Sequence, residues 1–560
     1  MSTPQEFDVV VIGAGVAGLG AASLLAKDHA QRVLVIERAP FVGGRALSYV
    51  GNGNRVIADG VKMDAEHFRK SLPYAHCYLG KCDPPIEDIF ARSLLDGRTF
   101  EAGGHGLFWG NEGRVAHLMR HLGVSHNLPL NRGLAFVRWR GEGQPTTAHQ
   151  VRKGQPYPWM SDAGYASTLE HLSRMAATSS DDMARLMRTS LQTWLGQRPM
   201  HPQAYEYIKV LAASQTAQAD PAMTPAGDFL GYMSIARQLH MNLVSGSVAT
   251  ADTPGSIAIP QKFEGVLLDH GGEVWRNTAV RQVLIEEGRV TGVRAADSKS
   301  EGSAGRVVRA RKIICTIPPK YIFHVLPKAW FPPAWVETLE RRFWGAGLLT
   351  GWYGMKRPQF PDAGIEESSF VYMPGITRPE EGFIGVVDMV MCDFTAFGDG
   401  EARRGAPGQR EYYFSTALTD HEMRDARRVD RVVELCEDWA RRTFPHWERD
   451  REFCLWTPSP EAYGLWRPIG VDRPDVQSPW VEGLYFAGDQ YGRRLWGGGV
   501  DGASLSAILC VDKMMGSRLE EAILPPWHRG LPEIDAGADL EAWGTEVPAT
   551  AELGRAGSRR

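Results

Sequence analysis

The sequence predicts an α/β chain in which a parallel sheet, extended by a β-meander, carries an inserted α+β unit. Three observations carry this. A continuous β-branched run, Val9 to Ile12, enters a glycine-rich turn and then an Ala/Leu-rich helix over 19–27. Such uninterrupted apolar strands are those of a parallel sheet buried on both faces. A second run, Arg32 to Ile36, ends on an acid, Glu37. Strand-like segments of the same kind return far downstream, at 313–317 and 483–487, so the sheet closes only late in the chain.

The first element reads FDVVVIGAGVAGLG over 7–20, a Gly-x-Gly-x-x-Gly between strand and helix. Gly13 permits the tight turn, and Gly15 lets a pyrophosphate approach the backbone around Ala14. Gly18 lets helix and strand pack closely. The phosphates of a dinucleotide then sit at the helix N-terminus, on its free N–H groups and positive dipole. Glu37 lies about 20 positions beyond Gly18, where an acid accepts the ribose hydroxyls. Strand, turn, helix and acid together make a Rossmann-type dinucleotide domain.

After Glu37 the chain continues Arg38-Ala39-Pro40-Phe41-Val42-Gly43-Gly44-Arg45. Two glycines and a guanidinium suit a diphosphate, because arginine binds its oxygens bidentately. This Glu-x5-Gly-Gly-Arg pattern resembles the FAD proteins of the amine oxidase, phytoene desaturase and protoporphyrinogen oxidase superfamily. Four further segments resemble that family in the same order: 100–106 (FEAGGHG), 275–280 with 288–293, 313–319 (IICTIPP), and 483–489 (GLYFAGD) with the Gly499-Val500-Asp501-Gly502 turn into a helix. The resemblance implies FAD as cofactor. It assigns Gly13, Ala14, Gly15, Gly18, Glu37, Arg38, Gly44 and Arg45 to the adenosine diphosphate, Val280 to the adenine, and Gly488, Asp489 and Val500 to the flavin end. A helix N-terminus at Val500 favours negative charge on a reduced ring.

The expected organisation follows. The FAD-binding domain occupies 1–104 (with an insertion at 49–98), 262–319 and 480–516. The substrate domain occupies 105–261 and 320–479, and 517–560 is a C-terminal tail. Helices are expected at 168–176, 183–195 and 431–443, and strands at 382–390 and 410–418. The insertion is longer than the family's link and reads as a surface addition. Beyond Pro525 the Gly, Ala, Glu and Pro content predicts loose docking or poor order.

Composition narrows the partners. The 560 residues carry 62 Lys plus Arg against 66 Asp plus Glu, a net charge of −4, so no basic field exists for nucleic acid. Seven cysteines, an odd and scattered number, fit a reducing, cytoplasmic setting and no disulfide framework. Cys77 and Cys82 form a poor zinc pattern, and no metal is expected. No apolar stretch reaches the ~18 residues of a membrane span; a peripheral membrane contact stays open. The partner is a small molecule, with oxygen or a quinone as electron acceptor.

For the chemistry, the resemblance leaves carbon–carbon desaturation or dehydrogenation, amine oxidation, flavin-dependent isomerisation and a flavin-free escort role. Many of the family's amine oxidases carry a lysine on the strand after the Ile-Pro-Pro segment, and the matching position here is Thr350. They also place an aromatic ring just before the last flavin helix, where this chain has Gly499 within Trp496-Gly497-Gly498-Gly499. Both departures favour the desaturase branch. His105, directly after the Gly-Gly pair, is the first candidate for moving a proton, since imidazole titrates near neutral pH. Tyr463 is the second. Arg467 and Arg493 are candidate binders of an acidic substrate group. Ten large residues of the inserted unit (Phe108, Trp109, Trp194, Phe229, Tyr232, Trp344, Trp352, Tyr353, Phe370, Tyr372) point to an apolar or aromatic substrate.

Overall fold

The structure, a computed structural model, describes residues 5–529 outside 104–106, 217–219, 239–245, 248–254, 301–304, 343–345, 397–407, 464–468, 493–497 and parts of 126–156 and 374–388. Its first sheet has the expected parallel heart. Strand β1 (Glu6–Ile12) lies between β2 (Val33–Ile36) and the strand Arg306–Cys315, parallel to both. Glu273–Trp275 extends the sheet beyond β2, and Leu484–Phe486 joins Arg306–Cys315 in parallel. The antiparallel strands Arg289–Asp297 and Thr278–Glu286 complete the meander.

Helix α1 (Val16–His29) is longer at both ends than the 19–27 expected. Gly15 is its N-cap, so the helix begins inside the glycine motif, and Ala30 closes it in the left-handed conformation. It is buried through most of its length because two other helices pack on it, Ala258–Asp269 and Gly499–Met515. A Cβ at Gly20 would meet Leu118, Phe263 and Ala507 at 3.3–3.6 Å, which marks how closely these elements converge. The Ser23 hydroxyl donates to the Phe263 carbonyl at 2.6 Å. The helix that leads into the middle strands starts at Ala258.

The inserted unit is built on an eight-stranded sheet. In spatial order its strands are Thr147–Val151, Gly133–Arg138, Ser369–Met373, Met389–Asp393, Arg410–Thr419, Ala346–Met355, Arg451–Tyr463 and Cys82–Asp83. One face packs against the helix Ala426–Thr443, joining Leu349, Tyr353 and Trp456 to Val432 and Trp439. The other face meets the helical region 162–238 through Trp352, Phe370, Tyr372 and Tyr413.

Three local expectations change. The 183–195 helix is broken: Ser180–Arg185 ends, and Leu191–Leu195 starts afresh because the Ser190 hydroxyl accepts from the Thr193 N–H. The 431–443 helix begins earlier, at Ala426, where the Asp425 carboxylate caps it. Of the 382–390 run, the observed strand is Met389–Asp393; 382 and 384–388 lie outside the described residues.

The 49–98 insertion is not a surface addition. Strands 48–52, 55–58, 61–63 and 99–101 form a small antiparallel sheet. It encloses Tyr49, Phe68 and Phe100, whose rings lie 4.9–5.8 Å apart. Fully burying such a side chain contributes about 1.5–3 kcal/mol. The segment then runs along Arg451–Tyr463: the Gly80 N–H donates to Trp456 O at 2.8 Å, and the Trp456 N–H donates to Lys81 O at 2.9 Å. The insertion thus ties the two sheets together. No described helix is long and apolar enough to cross a membrane.

Candidate functional site

At the C-terminal ends of β1 and β2, Glu37 organises the loops of the first sheet. Its Oε2 accepts from the Ala14 N–H and its Oε1 from the Ala39 N–H, both at 2.8 Å. Burial raises its pKa against the pull of those two N–H groups. The Gly43 N–H donates to Ala14 O at 3.0 Å, so the 13–15 and 37–44 loops form one cradle.

The glycines divide by cause. Gly13 has φ +104°, and a Cβ there would lie 2.4 Å from Thr316 Oγ1. A Cβ at Gly18 would lie 2.1 Å from the Gly13 carbonyl oxygen. Both are demanded by the fold. Gly15 has an ordinary φ of −84°, and its added Cβ would meet only Gly43 O, at 3.9 Å. That methyl would instead occupy the cradle before the helix N-terminus, the volume a diphosphate needs. The residues present therefore fit a dinucleotide.

The remaining assigned positions lie as follows. Gly44, at φ +56°, brings Gly15 Cα within 3.4 Å of its Cβ direction. Arg45 pairs through Nη2 with the buried Asp489 Oδ1, joining the first and last segments of the domain. Arg38 is exposed and lies over the Tyr74 ring. Val280 is half-buried on a strand whose Thr278 N–H donates to Glu37 O. The Gly488 N–H donates to Ser506 Oγ at 2.8 Å. Gly498 caps the helix Gly499–Met515, and Gly499 and half-buried Val500 begin it.

Asp501, one residue further, escaped the sequence reading. It is buried, its Oδ1 accepts from the Val115 N–H at 3.1 Å, and Oδ2 has no partner among the described residues. Burial pushes its carboxyl up to about 6, although Arg114 beside it pulls the other way. The available signal was an acid opening an otherwise apolar helix. Its folded pKa lies above the unfolded value of about 3.9. The stability it contributes is therefore present at low pH and lost as pH rises from about 4 through about 6. Asp501→Asn, which keeps one acceptor, should flatten that decline in melting temperature; an unchanged slope would clear Asp501 of it.

The start of the tail docks here too. Pro526–Arg529 is helical, and buried His528 faces Glu112 O through Nε2 at 2.6 Å. Burial drives this imidazole down to about 3, so it stays neutral. Residues 530–560 lie outside the described residues.

The sheet face toward the helical region 162–238 is the second half of the candidate site. His105 lies outside the described residues, as do Arg467 and Arg493. Tyr463 ends its strand with its backbone opposite Ala346; its side chain is likewise outside the description. Thr350 is in the strand Ala346–Met355, fully buried, directly opposite Thr457. Alternation puts Leu348, Thr350 and Trp352 on the face toward the helical region. Trp109, Trp194, Phe229, Tyr232, Trp352, Phe370 and Tyr372 belong to that one core. Tyr353 does not: it faces Trp447 and Trp456 on the reverse side and donates to Glu437 Oε1 at 2.9 Å. Trp344 and the Phe108 side chain lie outside the described residues. Cys77 is buried and Cys82 half-buried, and among the described residues no three His, Cys, Asp or Glu could hold a metal.

Comparison with known proteins gives the following. The family described as flavin-containing amine oxidoreductase matches residues 90–515, and the NAD(P)-binding Rossmann-like domain matches 11–67. A 3-oxosteroid 1-dehydrogenase of Mycolicibacterium smegmatis is 37% identical over 87 residues; the match spans 15% of this chain and only 15% of that relative's length. An oxidoreductase from Methanosarcina mazei superposes with a TM-score of 0.60 at 16% identity, over 92% of this chain and all of its own. A triple mutant of putrescine oxidase superposes at 0.60 and 15% identity, over 91% of this chain and 99% of its own.

Proposed function

Because the chain belongs to the flavin-containing amine oxidoreductases and uses FAD as its cofactor, we propose that it dehydrogenates a carbon–carbon bond beside an activating group in an apolar or cyclic small molecule. The observation that carries this reading is Thr350. The strand position where many amine oxidases of the family hold a lysine is here a buried, uncharged hydroxyl, on the sheet face that carries Trp352, Tyr413 and Tyr372. Such a face suits a neutral, largely apolar substrate. The stretch shared with a 3-oxosteroid 1-dehydrogenase agrees with it.

In this reading Ala14, Gly15, Arg38, Gly44 and Arg45 hold the diphosphate, on a turn that Gly13 and Gly18 make possible. Glu37 takes the ribose, Val280 the adenine, and Gly488, Asp489 and Val500 the flavin end. FAD, when bound, supplies the hydride acceptor. The aromatic face orients the substrate and excludes water. His105 takes the proton from the neighbouring carbon, with Tyr463 as a hydrogen-bonding group, so one C–H leaves as hydride, one as a proton, and a C=C bond forms. Oxygen or a quinone then takes up the electrons.

An anaerobic absorbance titration of the purified protein with amines, cyclic ketones and polyenes tests the reaction class. Cyclic ketones or polyenes should bleach the flavin band, and amines should leave it. Bleaching by amines alone would replace dehydrogenation by amine oxidation. Turnover of a double-bond isomer without net bleaching would replace it by isomerisation. His105→Ala should slow flavin reduction with bound FAD intact; an unchanged rate would remove His105 from the mechanism.

A further inference from the structure

We propose that the Thr350–Thr457 pair is the hydrogen-bonding seat for an oxo group of the substrate, which makes the substrate a ketone or enone rather than a hydrocarbon. This deepens the dehydrogenase reading and rests on it.

Thr350 and Thr457 are fully buried, and neither Oγ1 has a hydrogen-bond partner among the described residues. Directly opposed residues of antiparallel strands have Cβ atoms about 4.5–5.5 Å apart, so both hydroxyls can reach one oxygen atom. A buried polar group left unpaired costs about 1–3 kcal/mol, and two side by side call for a partner.

The polarity of that partner is legible nearby. Trp352, two residues along the same strand and on the same face, also holds a buried Nε1 without a partner among the described residues. An indole N–H only donates. A protonated amine can donate to the threonine hydroxyls but leaves the indole N–H unpaired; a carbonyl oxygen, an acceptor with two lone pairs, suits hydroxyl and indole donors alike.

Partly exposed side chains border the pair on the same face. Ser415 pairs with Thr350 on one side and Val390 on the other, and Ala417 pairs with Leu348. These are central strands, yet Val390, Ser415 and Ala417 are only half-buried. The half-buried row Val390, Ser415 and Ala417 thus runs up to the two buried threonines. Beyond them Ser459 lies beside the buried Cys77 thiol, so the insertion closes that end. Donors on a carbonyl oxygen also acidify the adjacent C–H and stabilise the negative charge that develops on oxygen as the proton leaves.

The test uses the FAD-loaded protein and two bicyclic probes of equal shape, 2-tetralone and tetralin, titrated anaerobically while the flavin spectrum is followed. Wild type should bind the ketone at least tenfold more tightly than the hydrocarbon. The double variant T350V/T457V, nearly isosteric, should lose that preference and bind tetralin unchanged. Its melting temperature without probe should equal or exceed that of wild type, because two unpaired hydroxyls are gone. A retained ketone preference, no preference in wild type, or a lowered melting temperature would each overturn the assignment. Ketone preference abolished by the double variant, together with flavin bleaching by amines alone, would keep the oxo seat and remove the dehydrogenase reading.

Discussion

Gly18→Ala is expected to abolish the soluble flavoprotein, whereas Gly15→Ala is expected to fold and lose cofactor. The two glycines sit three residues apart in one motif, but the fold demands only one of them. A methyl at residue 18 would stand 2.1 Å from the Gly13 carbonyl oxygen and 3.3 Å from the Val11 side chain. Neither backbone can retreat, because the Gly13 N–H is fixed to Ile36 O at 2.9 Å. Overpacking of this kind costs about 1–3 kcal/mol or more, and here it falls on the turn that joins β1 to α1. At residue 15 the same methyl meets only an oxygen at 3.9 Å with unstrained φ. Stability without cofactor should stay within about 0.5 kcal/mol of wild type. FAD affinity should fall about 10- to 100-fold, equivalent to about 1.4–2.8 kcal/mol. Thermal unfolding of the apoproteins and fluorescence titration with FAD read the two quantities separately. Equal FAD affinity in Gly15→Ala would mean that the diphosphate does not approach there.

Glu37→Ala should release FAD on desalting. The carboxylate holds the Ala14 and Ala39 N–H groups, and its loss leaves two buried donors unpaired at about 1–3 kcal/mol each. The ribose loses its acceptor in the same step. Glu37→Gln separates the effects: one acceptor stays, while the new amide N–H faces a backbone N–H. That variant should fold and retain FAD weakly. The ratio of flavin to protein absorbance after gel filtration measures both. Full occupancy in Glu37→Ala would remove the ribose role.

Much of the cofactor half was legible because it is local. Strand, glycine turn, helix and Glu37 fall within residues 6–37, and periodicity reports them directly. The substrate half was read less well because its determinants are long-range. Nothing near Cys82 and Asp83 announces a strand; it forms because residues 454 and 455 offer an open sheet edge. Tyr353 reads like its neighbour Trp352, and only strand alternation against the 426–443 helix turns it to the other face. The break at Ser190 was a capping signal overlooked, since a serine inside a helical pattern competes for backbone N–H groups. Asp501 was hidden by its position after the glycines, which drew attention to the flavin rather than to Val115.

The pairing of β1 with Arg306–Cys315 also sets a schedule for making the protein. Val9 pairs with Lys312, and the last strand, Leu484–Phe486, joins later still. At about 5–20 residues per second, ribosomal synthesis leaves β1 without that neighbour for roughly 15–60 s. During that time an aggregation-prone Val-Val-Val-Ile edge is bare. Capture of the cofactor is therefore expected only after the strand Leu484–Phe486 has been made. Nascent chains stalled before residue 484 should need chaperone protection and carry no flavin, however complete their N-terminal fingerprint.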